Sequence, residues 1–532
     1  MEKSLCSRAR RFATLIGLAG CLIGAVAAAQ TTNRAAAQPP PPTAAPATNS
    51  PADAVVKSIV KISSTARYPD RFQPWIKKEP VSSYSSGVVI EGKRILTCAH
   101  SVAYASDVQI QANGAGDKLS ATVEAISPEI DLAVLKLDDD SFFNTHPPFK
   151  RASKLPQVKD AIFAYGFPAG DTGMGITLAA VTRIDFTSYN SGVRGLRIQL
   201  DAAITPGAVG GPAVSGDTMI GLAFAPATKA ENISYVIPCE EIELFLKGIR
   251  AGSYHGRPNL DIVLQESQHA ALRSFLGVDK LVHGVVVQQV GPASAGSPLQ
   301  KWDTITQIGN TDIDDQGMIH LENGLNVAFT YLFGETAVNG KVPMTVVRSG
   351  KPLHLDVPIQ SNPPRLLPPL NGIYPDYFVF GPLVFSDASQ DLLLDLVNST
   401  IVGSNGLSST LRLLNQDNPL VTRCDDFPKF EGERLVVVTS FFKHKLADDY
   451  ASPVTQVVKA INGIPIKNLA HLVQVVRDSK EKFITIDFFG RYANTLVFPR
   501  EEMLAATDSI LADNNVHSQG SPAMMALWNA KK

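Results

Sequence analysis

Between residues 55 and 250 the chain is written as short apolar runs separated by turn signals. Examples are Gly87-Val88-Val89-Ile90, Arg94-Ile95-Leu96-Thr97, Leu132-Ala133-Val134-Leu135 and Met219-Ile220-Gly221-Leu222-Ala223-Phe224. Many short runs at this spacing predict the strands of barrels or a sandwich, and residues 240–249 predict a closing helix. A second module, from about 254 to 360, carries the strand Gly284-Val285-Val286-Val287-Gln288-Gln289-Val290 and, after Pro292-Ala293-Ser294, a short helix-like piece. The strand Asp303-Thr304-Ile305-Thr306-Gln307-Ile308 follows, and a strand pair brackets Arg348-Ser349-Gly350-Lys351. A third module repeats this logic in weaker form: Leu435-Val436-Val437-Val438-Thr439, then Val457-Val458-Lys459-Ala460-Ile461-Asn462-Gly463, then a helix at 469–477. The end of the chain, from about residue 500, reads as one helix and a frayed tail.

Composition adds boundaries and a compartment. At 532 residues the chain exceeds one ordinary domain, and its 45% hydrophobic content suffices for several cores. Arg8, Arg10 and Arg11 precede an apolar run at 15–29 that ends in Ala27-Ala28-Ala29, the pattern of a cleaved export signal. Competing readings are a lipoprotein signal at Leu18-Ala19-Gly20-Cys21 and a retained anchor, for which the run is short. The pair Arg10-Arg11 is too little for twin-arginine export. Residues 30–53 are dominated by Ala, Pro, Thr and Gln with almost no charge, carry an unbroken proline run at 39–42, and read as an extended tether. The expected layout is a signal peptide 1–29, linker 30–53, first domain 54–250, second 251–360, linker 361–376, third 377–500, and a C-terminal helix and tail 501–532. The expected location is periplasmic or secreted.

A formal net charge of −2 gives no electrostatic case for nucleic acid or an anionic membrane. Cleavage after Ala29 leaves Cys98, Cys239 and Cys424, too few and too scattered for a disulfide framework. No ligand spacing argues for a metal, and no cofactor is expected.

Three segments carry the chemistry. In Thr97-Cys98-Ala99-His100-Ser101-Val102 a histidine closes an apolar strand. In Asp131-Leu132-Ala133-Val134-Leu135 a lone aspartate opens one. The loop Asp201-Ala202-Ala203-Ile204-Thr205-Pro206-Gly207-Ala208-Val209-Gly210-Gly211-Pro212-Ala213 has glycines on both sides of a tight turn. In chain order this gives His100, Asp131 and a nucleophile position. In a triad the aspartate fixes the imidazole tautomer while the imidazole takes the nucleophile's proton. The turn is expected to aim the amides of Gly207 and Val209 at one point, as an oxyanion hole requires. Yet the nucleophile position is Val209, which has neither a proton to lose nor a lone pair to attack with.

These motifs resemble those of the HtrA/Deg family of trypsin-like serine proteases with PDZ modules. The resemblance continues through Asn232-Ile233-Ser234-Tyr235-Val236-Ile237-Pro238, Leu366-Leu367-Pro368 and Tyr377-Phe378-Val379, a layout like the plant-type Deg subgroup with two PDZ-like modules. It covers about residues 54–515. It implies a mainly β fold, a chymotrypsin-like double barrel followed by two PDZ-like α+β modules. It also implies ATP-independent endopeptidase activity on unfolded polypeptide, and trimers or multiples of trimers. By position His100 is the base, Asp131 its orienter, and Gly207 and Val209 the oxyanion donors. Leu222 and Ile233 would line a small apolar specificity pocket bordered by residues 225–231. Leu260, Asp261 and Ile262 would form the peptide-binding loop of the first PDZ module, where the carboxylate of Asp261 would repel a terminal carboxylate. The chain departs at the deciding place, where the family's N-S reads Ala208-Val209.

Removing such a nucleophile costs on the order of 10⁶-fold in kcat. The favoured expectation is a pseudoprotease that binds extended or unfolded polypeptide in protein quality control, as a holdase or beside active homologues. The alternatives are an endopeptidase using another nucleophile, for which Cys98, Ser101 and Thr205 are the nearby side chains, and a purely structural oligomer.

Overall fold

A computed structural model of the chain describes residues 55–530, apart from 113–115, 169–172, 190–192, 225–232, 253, 255, 292–293, 295, 322–323, 362–363, 399–405 and 492. The expected signal peptide, the tether and the pocket-bordering stretch 225–231 lie outside the described residues.

The first twelve strands close two six-stranded barrels. In the first, β1 (Ile59–Ala66), β2 (Val81–Ile90), β3 (Arg94–Thr97), β4 (Ala105–Ala112), β5 (Leu119–Ser127) and β6 (Leu132–Leu137) are ordered β1-β2-β3-β6-β5-β4, and β4 pairs back to β1. In the second, β7 (Ala161–Gly166), β8 (Gly175–Ser188), β9 (Arg194–Leu200), β10 (Pro212–Ser215), β11 (Thr218–Phe224) and β12 (Ser234–Pro238) are ordered β10-β11-β12-β9-β8-β7, closed by β10 against β7. Two-sided burial explains why the second half of β2, β3 and β6 read as continuous apolar runs. Val60, Ile62, Val89, Ile95, Ala133 and Leu135 fill the interior of the first barrel. Their strand neighbours Ile59, Val88, Leu96 and Val134 join the core shared with the second barrel. A strand buried on both faces has no polar side to alternate.

The helix Cys239–Arg250 follows β12 directly. Glu240 and Glu241 lie in its first turn and Lys247 and Arg250 in its last, the charge order that suits the helix dipole. The second module is a sheet of Ile262–Glu266, Val285–Val290, Thr304–Ile308, Lys341–Arg348 and Lys351–Pro358, with the short strand Thr311–Asp312 beside it. Its last hairpin turns at Ser349 (φ 50°) and Gly350 (φ 75°), two left-handed positions, as a two-residue hairpin loop demands. This module is fastened to the second barrel. Arg257 Nε donates to Glu241 Oε1 at 2.8 Å, its Nη2 reaches Glu240, and the Tyr331 hydroxyl meets Glu240 at 3.2 Å.

The third module pairs a three-stranded sheet (Tyr377–Phe380, Leu383–Asp387, Val436–Phe441) with a four-stranded one built on Val458–Ile461, Phe483–Phe488 and Leu496–Pro499. The helix Leu469–Asp478 buries Leu469, Leu472, Val473 and Val476 against both. Two expectations change here. Residues 364–376 are no loose linker, because Leu366 and Leu367 are buried in a core with Leu392, Leu413 and Leu435. The tail is no frayed end, because after the helix Arg500–Asp513 a second helix, Pro522–Asn529, packs back onto the module.

Candidate active site

The motif residues meet at the junction of the barrels. Strand β3 ends at Thr97, and the next residues turn through a 3-10 helix, Ala99–Ser101, that carries His100 out to the surface. Asp131 stands at the entrance to β6 in left-handed backbone (φ 59°), a conformation aspartate enters more readily than most residues. Both carboxylate oxygens face the histidine. The His100 backbone N–H donates to Oδ1 at 2.8 Å, and its ring Nδ1 lies 2.7 Å from Oδ2. With Nδ1–H donating to Asp131, Nε2 is left as the free base. Asp131 is 2% exposed and the histidine side chain 52%, so the pair is anchored inside and open outside. Burial depresses the imidazole's proton affinity, but the hydrogen bond to Asp131 and its charge outweigh that and raise the pKa.

The loop of Val209 closes against the same strand end. Gly210 has φ 85°, and a Cβ there would lie 2.3 Å from the Ser86 carbonyl oxygen and 2.6 Å from Thr97 Oγ1. A Cβ on Gly211 would lie 2.0 Å from the Tyr165 carbonyl oxygen. Only glycine fits at either position. Val209 points into the packed interior at 4% exposure, among residues of the shared core. No hydroxyl or thiol is carried at the turn.

Pro206–Ala208 form a 3-10 turn, with Ala208 N donating to Thr205 O at 2.9 Å. Such a turn points its amides back along its own axis, toward carbonyls three residues earlier. Past it, Gly210 N donates to Ala223 O at 2.9 Å and Gly211 N to Ala208 O at 3.1 Å.

Sequence reasoning missed Ser86. This buried serine donates from Oγ to the Gly207 carbonyl at 2.9 Å and accepts there from Phe167 N at 2.8 Å. Its own N–H donates to Val209 O at 2.9 Å, and its carbonyl accepts from Thr97 Oγ1 at 2.8 Å. One residue of the first barrel therefore holds the whole turn of the second. The only available signal was a serine pair where β2 passes from exposed to buried positions.

Three further side chains bear on the alternatives. Cys98 Sγ, His100 and Asp131 place their ligand-type atoms within 4.8 Å of one another. The thiol is wholly buried, and burial together with the nearby Asp131 charge pushes its pKa well up, so it stays protonated. Ser101 is also buried. Thr205 is exposed, one residue before the turn.

Of the two pocket candidates, Leu222 is fully buried, paired with Pro212 and Ile237 inside the barrel, and only Ile233 presents surface. In the second module Leu260 is buried. Asp261 is folded inward: its N–H bonds Ser294 Oγ at 3.0 Å, its carbonyl accepts from Gly291 N at 2.6 Å, and its carboxylate lies against Gly291. Ile262 opens the strand Ile262–Glu266, half-buried.

Two closed barrels with a histidine–aspartate pair at their junction define the trypsin-like peptidase class. The sequence matches the family model for a trypsin-like peptidase domain over residues 85–222 and that for a PDZ domain over 370–523. Protease Do-like 2, chloroplastic, of Arabidopsis thaliana is 30% identical over 88% of this chain and 76% of its own length. Protease Do-like 4, mitochondrial, of the same plant is 30% identical over 83% of this chain and 80% of its own. Among solved structures, the HtrA-type protease AlgW with a tripeptide aligns over 59% of this chain and 98% of its own, at 22% identity and a TM-score of 0.46. The chain belongs to the HtrA/Deg family of Do-like serine proteases.

Proposed function

We propose that this chain is a pseudoprotease of its family, which binds extended or unfolded polypeptide at the protease cleft without cutting it. The observation that carries the reading is Val209, an apolar side chain buried at the glycine turn beside an intact His100–Asp131 pair. The base is oriented and has a free nitrogen, but no oxygen stands at the turn for it to deprotonate. Cys98 does not replace that oxygen, since its thiol is buried and held protonated. Capture of polypeptide, assembly into trimers or their multiples, and an exported or organellar location belong to this proposal, supported by the family's likeness alone.

The test is casein degradation by the chain beside Val209→Ser and Ala208→Asn/Val209→Ser, with suppression of aggregation of a reduced client protein measured in parallel. The expected result is no cleavage by the unmodified chain, suppression of aggregation by all three, and cleavage gained with serine. Cleavage by the unmodified chain that His100→Ala abolishes would overturn the proposal. So would failure of all three versions to hold a client in solution.

A further inference from the structure

Three side chains of different ligand types converge beside the glycine turn. Strand β3 ends at Thr97, and Cys98 follows in extended backbone (φ −76°, ψ 141°) before the 3-10 turn that carries His100. Pairing of β3 with β6, Thr97 against Ala133, brings Asp131 to the same place. The Cys98 thiol, a ring nitrogen of His100 and a carboxylate oxygen of Asp131 lie within 4.8 Å of one another. Oδ1 of Asp131 is held by the His100 backbone N–H at 2.8 Å, so Oδ2, 2.7 Å from Nδ1, is the oxygen left for another partner. The thiol is a weak donor, and its contact with the Ala223 carbonyl is 3.6 Å long.

Thiolate, imidazole and carboxylate are the ligand types of zinc, and three of them leave a fourth position for water. Tetrahedral ligands about 2.0–2.3 Å from an ion stand roughly 3.3–3.6 Å from one another, so Nδ1 and Oδ2 need to part by only about half an ångström. The half-exposed imidazole is the wall that can move. Charge favours the same ion. A thiolate, a carboxylate and a neutral imidazole sum to two negative charges, which a divalent cation cancels inside a buried site. In the metal-free protein, burial and the Asp131 charge keep the thiol protonated. A bound cation reverses that preference.

We propose that Cys98, His100 and Asp131 form a binding site for a divalent cation of the zinc class at the junction of the barrels. On binding, the thiol loses its proton to solvent, and the imidazole proton passes from Nδ1 to Nε2. One proton is released for each ion, and the loaded imidazole is no longer a base. The site goes beyond capture of polypeptide in the cleft and stands or falls without it. No spacing in the sequence marked it, because Asp131 joins Cys98 and His100 only in the folded barrel.

The experiment titrates the complete chain, reduced and freed of metal with a chelator, with Co2+ as the probe. The expected result is a thiolate-to-cobalt charge-transfer band in the near ultraviolet with the intense visible bands of four-coordinate cobalt, saturating at about one ion per chain and bleached by Zn2+. Zn2+ added in weak buffer at about pH 8 should release about one proton per ion. Cys98→Ala should lose the near-ultraviolet band and bind at least about 100-fold more weakly, since even a partner outside the coordination shell is worth about 10–100-fold. Cys239→Ala/Cys424→Ala should keep both band and affinity. The proposal is overturned if the unmodified chain shows no thiolate-to-cobalt band, which needs no variant to observe. It is also overturned if the band survives in Cys98→Ala, or disappears in Cys239→Ala/Cys424→Ala.

Discussion

At the scale of single residues, the His100–Asp131 pair is hydrogen-bonded, anchored on the buried aspartate and open on the side of the histidine. Its electrostatics give a test that needs no catalysis. The raised imidazole pKa reflects burial, which lowers it, overcome by the hydrogen bond and charge of Asp131. A histidine whose folded pKa exceeds its unfolded value contributes stability that is fully present below the unfolded value of about 6.5 and is lost as pH rises through the folded one. Asp131→Asn keeps the shape and removes the charge. We expect His100 to titrate above 6.5 by NMR in the unmodified chain and lower in Asp131→Asn. The stability gap between the two should be wider near about pH 5.5 than near about pH 9. A gap of equal size at both ends would mean that the pair does not sense its own charge. The histidine and aspartate were legible because each sits in a motif with a chemical reason. Ser86 was not, because a serine inside a strand carries no mark of the four hydrogen bonds it makes. The wound turn at Pro206–Ala208 was not legible either, since Gly207 permits several backbone conformations and the residues alone do not choose among them.

At the scale of elements, the helix Leu469–Asp478 shows how a buried charge is spent on geometry. Asp387, at the end of its strand, accepts from Leu469 N at 2.9 Å at the helix's N-terminus. Burial raises its pKa to about 6, against the lowering effects of that bond and of Arg434. For a carboxyl raised in this way the sign is reversed from the usual case. The folded state favours the proton, so stability is lost as pH climbs from the unfolded value near 3.8 through about 6. Asp387→Asn keeps an oxygen for Leu469 N–H and removes the charge. It should raise the unfolding temperature by a few degrees at about pH 7.5, on the order of 2–4 °C per kcal/mol, and give no gain at about pH 4. A fall in unfolding temperature at pH 7.5 would show that the charge, not the oxygen, holds the helix end. The runs in the second half of β2 and in β3, β6 and β11 were readable because burial on two faces leaves them apolar, while β4, β5 and β8 keep exposed polar positions. The packed segment 364–376 was hidden because its prolines outweigh Leu366 and Leu367 in any window. The last helix was hidden because it is short. Its signal was Ser521-Pro522, a capping residue followed by a proline suited to the first turn, with Met524 and Trp528 one helical turn apart.

At the scale of the whole molecule, the third module is clasped to the first barrel by the segment between β1 and β2. Trp75 lies between Tyr377 and Phe442, with ring centroids 6.0 and 5.4 Å away. Phe72 packs on the module's leucine core, its carbonyl accepts from Ser440 Oγ at 2.6 Å, and Arg71 pairs with Asp391 and Asp395. The contacts reach the dyad's own segments. Tyr104, four residues past His100, meets Tyr374 edge-on at 5.6 Å, and Glu129, two residues before Asp131, faces Asn371 at 3.5 Å. The backbone that carries both members of the pair thus touches the module farthest away in sequence. If this clasp joins them in folding, barrel and module should melt together. Trp75 is half-buried, so truncation should cost less than the ~3–5 kcal/mol of a fully buried aromatic residue. The ion pairs of Arg71 are partly buried, with the guanidinium 15% and the two carboxylates 27% and 33% exposed, and desolvation of all three groups offsets much of their attraction. We therefore expect Trp75→Ala combined with Phe72→Ala to split one calorimetric transition into two, the lower belonging to the third module, while Arg71→Ala leaves a single transition. Two transitions already present in the unmodified chain would mean that the modules are neighbours without coupling. In that case a polypeptide bound at the third module would have no mechanical path to His100.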